Sequence, residues 1–223
     1  AYPGPQTGSV GGRMFSAAHG DRQALAELGF IVVTIDGRGT PGRSKSFHDA
    51  YYGAMGRDNT LPDQVAGMKA LAAQYPWIDI ERAAMWGHSG GGFITADAMF
   101  RYPDFFKVGI SESGNHDQRN YEDDWGERYH GLLERGPGGT TNYDDQANQS
   151  LVKNLKGRLL IAHGTMVTPA ELLLLKSTDT AVSYNPVASA WKGNAVAPAL
   201  HMASQGIRMG LGTDGTRSDG FRL

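Results

Sequence analysis

Ala83-Ala84-Met85-Trp86-Gly87-His88-Ser89-Gly90-Gly91-Gly92-Phe93-Ile94-Thr95-Ala96 is the stretch whose reading decides the fold. The apolar run ending at Trp86 suits a buried strand, and the residues after Gly92 carry a helical pattern. Between them stands a Gly-x-Ser-x-Gly pentapeptide. Its glycines permit a tight, strained turn with close backbone approach, and the helix that follows turns its N-terminus toward the serine. A serine so placed is exposed, and the Gly90 amide is free to bind an oxyanion. A purely structural turn is the competing reading, which the setting between strand and helix disfavours.

Outward from that stretch, the same alternation repeats. Asp21 to Leu28 reads as a short helix closed by Gly29, and Phe30-Ile31-Val32-Val33-Thr34-Ile35 as a fully buried strand. Asp36 to Gly42 follows as a glycine-rich loop that lacks the Lys-Ser/Thr of a phosphate loop and the dinucleotide spacing. Leu61 to Tyr75 has apolar residues at helical spacing, with Pro62 near its start and Pro76 at its end. After the serine come a strand at Val108 to Ile110, a polar connection from Ser111 to Arg135, a helix from Tyr143 to Leu155 and a strand at Leu159 to Ala162. Strand, helix, strand, turn, helix, strand is the order of a parallel sheet covered by helices on both faces. An α/β-hydrolase-like core is expected. The Ser111–Arg135 connection leaves the carboxyl end of a strand, where α/β sites are lined, so it reads either as a substrate wall or as a solvated acidic turn with aromatics beneath it.

Composition bounds the function. The 223 residues, 40% hydrophobic, can bury one good core, or one core and part of another. A net charge of −2 and the lack of a basic run argue against a nucleic-acid partner, and no apolar stretch approaches the ~20 residues that cross a bilayer. With no cysteine there is no thiol nucleophile and no thiolate metal site. No leader pattern follows Ala1, so the sequence reads as an excised piece or a processed product.

Six segments together resemble the catalytic domain of the prolyl oligopeptidase family, in its dipeptidyl-peptidase-like bacterial branch, over residues 1–166. They are Tyr2-Pro3-Gly4-Pro5-Gln6, Ile35-Asp36-Gly37-Arg38-Gly39-Thr40, Trp86 to Gly92, Ser113-Gly114-Asn115-His116-Asp117, Asp124-Trp125-Gly126-Glu127-Arg128-Tyr129 and Ala162-His163-Gly164-Thr165-Met166. The resemblance implies a serine peptidase that cleaves peptide bonds through an acyl-enzyme on Ser89, needing no cofactor. It implies that Tyr2 lends its hydroxyl to the oxyanion hole beside the Gly90 amide, and that Asn115, Tyr121, Trp125 and Arg128 contact substrate. A phenol and an amide converging on one oxygen both donate without ionising. Family members often work outside the cytoplasm, so a periplasmic or secreted location is slightly favoured, with the compartment open.

The resemblance stops at Met166. Val167 stands where the family places its triad aspartate, and no histidine follows in a His-Gly context. Impaired catalysis is expected. From about residue 163 the chain instead resembles the end of a zinc-dependent amidohydrolase barrel, on Thr180 to Pro186 and Gly206 to Gly215 above all. That likeness implies a junction of two unrelated genes, with 167–223 as an amidohydrolase-like segment and His163 and Asp214 as metal-ligand alternatives. Two ligands do not close a usual zinc site. A helix at Ala170 to Lys176, a strand at Thr180 to Tyr184, a helix at Ala195 to Gln205 and a strand at Ile207 to Leu211 make pairing of this tail onto the sheet edge topologically possible.

A serine nucleophile needs a base within hydrogen-bond reach. Of the seven histidines, His88 adjoins the serine in sequence but points away, and His19 and His48 read as solvated loop residues. His116 and His130 belong to the wall connection, with His116 the foremost improvised base, although a pocket or structural role is favoured for it. His201 reads as a half-buried helix residue. A peptide-binding or inert scaffold is the non-enzymatic alternative.

Overall fold

The computed structural model describes residues 2–6, 21–57, 60–163, 169–186 and 198–211. Five parallel strands form one sheet in strictly sequential order. They are β1 (Ala84–His88), β2 (Val108–Glu112), β3 (Arg158–His163), β4 (Ala181–Tyr184) and β5 (Met209–Leu211). The helices are α1 (Asp21–Glu27), α2 (Lys45–His48), α3 (Leu61–Gln74), α4 (Gly90–Arg101), α5 (Asp123–His130), α6 (Pro169–Ser177) and α7 (Ala199–Ser204). Each of β1 to β5 sits within a residue or two of a strand expected from the sequence.

The main core lies between α3, α4 and the first three strands, where Leu61, Val65, Met85, Met99, Phe100, Phe106 and Leu159 pack together. Helix α4 is the pivot of this core, because all but the last of its residues are buried. Asp97 on that helix is completely buried, and Arg101 Nε donates to it at 2.8 Å. The same guanidinium reaches the Asp145 carbonyl at 3.1 Å, which ties the helix to the chain beyond the wall.

The tail does pair onto the sheet. In register, Leu160 faces Ala181 and His163 faces Tyr184, and β5 then adds beyond β4 with Val182 opposite Met209. Each of these strands is reached by a helical crossover, α6 and then α7. The segment has a small core of its own in Leu172, Val182, Tyr184, Met202 and Ile207.

Three expectations need correction. Phe30 to Ile35 is not a strand: it pairs with none of the five, and Phe30 and Ile31 are 60% and 49% exposed. An apolar run becomes a buried strand only where partners cover its edge and faces. Here the main fixed point is Ile35, packed on Gly67 of α3. Tyr143 to Leu155 is not one helix but three short 3₁₀ turns, at Asp144–Gln146, Asn148–Ser150 and Val152–Asn154. The cause is Asn148, whose amide donates to the His116 carbonyl and whose side chain donates to the Phe93 carbonyl; both bonds compete with a continuing helix. His201 is exposed on α7, because Met202 takes the buried position of that turn.

The close approach of α4 to β2 depends on Gly92. A Cβ there would land against the Glu112 carbonyl oxygen and within 3.0 Å of Gly114. Both obstacles are backbone, so neither can swing aside. Gly92→Ala should therefore cost about 3 kcal/mol, the upper end of ordinary overpacking, whereas Gly210→Ala, with nothing in contact range, should change stability by less than about 0.5 kcal/mol. Urea unfolding of the two variants against the parent tests the contrast.

Candidate active site

Ser89 occupies the junction of β1 and α4 with φ 58° and ψ −121°. That conformation disfavours any residue with a Cβ, and it is maintained by two backbone bonds. The Ser89 amide donates to the Glu112 carbonyl at 2.9 Å, and the Phe93 amide donates to the Ser89 carbonyl at 3.0 Å. The strand fixes one side of the turn and the first helical bond fixes the other, so the side chain is presented at the carboxyl edge of the sheet.

Tyr2 reaches the same place from the opposite end of the described chain. A Cβ on Gly90 would meet Tyr2 Cε1 and Pro3 Cδ at 3.3 Å and Gln6 Oε1 at 2.5 Å. Glycine at position 90 thus lets the Tyr2–Gln6 segment lie against the residue whose amide follows the serine. On its other side, Gly4 packs against the Arg38 carbonyl and the Thr40 amide. The edge of the Tyr2 ring thus lies close to Gly90.

The wall residues fall into two groups. Tyr121 stands just before α5 with its ring 5.9 Å from Trp125, and Trp125 continues to Tyr129 at 4.8 Å. Burial raises the Tyr121 phenol above its ordinary value, and nearby Glu122, Tyr2 and Asp124 raise it further, so Tyr121 and Tyr2 share one neighbourhood. Arg128 is exposed on α5 and acts electrostatically on Tyr51. The acidic, aromatic connection is therefore a packed helix: Trp125 and Tyr129 sit on a cluster of Tyr51, Met55, Phe93 and Ile94. Asn115 is placed differently. It is 8% exposed, its Nδ2 donates to Gln118 Oε1 at 3.1 Å, and its Oδ1 has no hydrogen-bond partner.

The histidines sort by environment. His88 is exposed, and His48 pairs with Asp49. His116 Nδ1 lies 3.0 Å from Asn148 Nδ2, and its Nε2 is 3.4 Å from the Ser111 hydroxyl, which itself donates to the Gly92 carbonyl. The ring thus braces α4 from below, in keeping with a structural role. His163 ends β3, while His19, Val167 and Asp214 lie outside the described residues. Among the described residues, no three His, Asp or Glu side chains cluster as a metal site would require. Nor is any helix among them long and apolar enough to cross a membrane. Sequence reading quoted Gln6 within the Tyr2–Gln6 segment without a role, although it packs against Gly90, and passed over Gln146, which carries no periodic or motif signal.

Comparison with known proteins places the fold in a family. The model of the prolyl oligopeptidase family matches residues 14–173. The chain belongs to that family. Mouse dipeptidyl peptidase 8 is 32% identical over 163 residues, which is 73% of this chain and 18% of the relative. A solved Bacteroides ovatus protein assigned as a dipeptidyl aminopeptidase IV is 35% identical over 64% of this chain and 20% of its own, with a TM-score of 0.52. An acylaminoacyl peptidase shares the fold at a TM-score of 0.56, with 22% identity over 83% of this chain and 28% of its own. The chain thus spans about a fifth of the length of the curated relatives it matches. Within the family's α/β-hydrolase architecture, the elbow, the helix behind it and the wall all fall inside the matched region.

Because glycine alone is at ease in the Ser89 conformation, Ser89→Gly should be more stable than Ser89→Ala by about 1 kcal/mol. Equal unfolding free energies for the two variants would show that the turn is unstrained.

Proposed function

We propose that this chain carries the nucleophile and oxyanion hole of a serine peptidase. Ser89 Oγ attacks a peptide carbonyl, the carbonyl oxygen becomes an oxyanion, and the Tyr2 hydroxyl and the Gly90 amide donate to it. Collapse of that intermediate leaves the acyl group on Ser89 and expels the amine, which must take up a proton; water then releases the acid. Tyr121, Trp125, Arg128 and Asn115 are the proposed substrate contacts, with peptides as the substrate class. The observation that carries this reading is the meeting of Tyr2 with Gly90 directly beside a serine at φ 58°.

We read the chemistry as impaired. Val167 stands where the aspartate is expected, and residues 185–192, next in sequence after β4, include no histidine. The single histidine further on, His201, is exposed on α7. Lacking an efficient base and acid, the site retains what oxyanion stabilisation and binding provide, about 10³-fold to 10⁴-fold over water. Aryl esters, whose leaving groups depart without a proton, should be its best substrates.

The tail from 167 to 223 we read as the end of an amidohydrolase joined at the Ala162–Met166 string. Its apolar residues pack in a small cluster of their own beside the sheet. Zinc that co-purifies and falls on Asp214→Ala would support a retained metal role, and metal-free protein would end it.

The peptidase reading is tested with a fluorophosphonate probe and an aryl ester. Slow labelling and ester cleavage, both lost in Ser89→Ala, are expected. Tyr2→Phe should lower ester turnover about 10²-fold, as removal of one oxyanion donor does. Labelling that persists in Ser89→Ala, or none in the parent, overturns it.

A further inference from the structure

One buried titratable group takes no part in the chemistry above, yet it lies beneath the wall. His130, 1% exposed, closes α5, the helix that carries Trp125 and Arg128. Its ring is 5.7 Å from that of Trp125, 5.4 Å from Tyr143 and 6.2 Å from Phe93. Phe93 belongs to α4, so the imidazole sits where the wall helix meets the helix of the elbow.

Its protonation state follows from Gln146. The Gly56 amide donates to Gln146 Oε1 at 3.2 Å, and Gln146 Nε2 donates to the carbonyls of Asn142 at 3.0 Å and Gly53 at 3.5 Å. Three backbone groups thus orient the carboxamide with its oxygen toward the imidazole. His130 Nδ1, 2.7 Å from that oxygen, must carry the proton. Nε2 is then a bare acceptor, buried and without a hydrogen-bond partner among the described residues. It is also where a second proton would have to go.

We propose that His130 is a positioning residue for the substrate wall: its neutral Nδ1–H form locks α5 to α4 and to the 51–57 segment, and proton uptake at Nε2 releases Trp125. A charged N–H pressed among aromatic rings without an acceptor is costly. Relief requires the ring, and with it the end of α5, to move toward water.

Among the described residues, burial and the Gln146 bond are what act on the His130 imidazole, with no charged side chain among the causes. The groups in contact with the ring are Phe93 from α4, Trp125 from α5, and Tyr143 and Gln146 from the following turn. Burial raises the Tyr143 phenol, which keeps it neutral in acid. Glu127 and Asp123 act on Tyr143, Arg128 acts on Tyr51, Asp144 is engaged by Thr141 and Arg119, and Asp145 pairs with Arg57. Burial holds the His130 imidazole down to about 4 from an ordinary 6.5, with the Gln146 bond opposing it in part. The unfolded chain therefore takes up this proton first as pH falls. The stability contributed by the neutral ring is complete above pH 6.5 and is lost as pH falls toward about 4.

The experiment is an acid titration of the whole chain, followed by ¹⁵N NMR of labelled histidine and ¹⁹F NMR of 5-fluorotryptophan, with Trp125→Phe assigning the resonance. At neutral pH His130 should be the Nδ1–H tautomer. Its titration and the shift or broadening of the Trp125 resonance should share a midpoint near pH 4. His130→Asn, which can still donate to Gln146 but cannot titrate, should keep the neutral Trp125 resonance and lose the acid transition. His130→Phe should displace that resonance already at pH 7. An Nε2–H tautomer, a midpoint above 6, or an acid transition that survives in His130→Asn would each overturn the proposal. It rests on reading Trp125 as part of the wall, but its readout is independent of Ser89: failure to label the serine counts against the peptidase reading alone.

Discussion

The structure depends on how closely backbone can approach backbone around one turn. Gly92 lies against the Glu112 carbonyl, and Gly90 lies under the Tyr2 ring and the Gln6 carboxamide. A side chain at either position would push α4 off the sheet or lift the Tyr2–Gln6 segment away. The strain at Ser89 persists because β2 accepts its amide and the first turn of α4 takes its carbonyl. Core packing and presentation of Ser89 are thus satisfied by the same few glycines.

Much of this was legible from residue patterns. The pentapeptide between an apolar run and a helical repeat placed β1, the turn and α4. Alternation then placed β2 to β5, because short apolar runs between helices mark parallel strands, although one face of β2 is open, with Val108 and Ile110 exposed. Where the pattern misled, the deciding contact was distant in sequence. Phe30 to Ile35 has a buried strand's composition, but composition does not supply a neighbour. Asn148 breaks a helical repeat because the carbonyls it satisfies belong to Phe93 and His116.

The site was legible to a similar degree. Ser89 and Gly90 follow from local spacing, whereas the role of Tyr2 came from resemblance, since nothing near Tyr2 in sequence points to a residue 88 positions away. The wall residues were named without the helix that holds them. His130 and Gln146 lie 16 residues apart, on either side of a glycine-rich break, and share a bond no periodicity could foretell.

The sequential strand order has a consequence for how such chains change. Every crossover after β1 adds one strand beside the last, always at the same edge, so β4 and β5 touch the elbow only through the strands between. Material at that edge can be exchanged while the nucleophile's turn keeps its shape. Architecture here is therefore more permissive than reactivity: an ending that completes the sheet need not complete the triad, and inheritance of a fold becomes separable from inheritance of its chemistry.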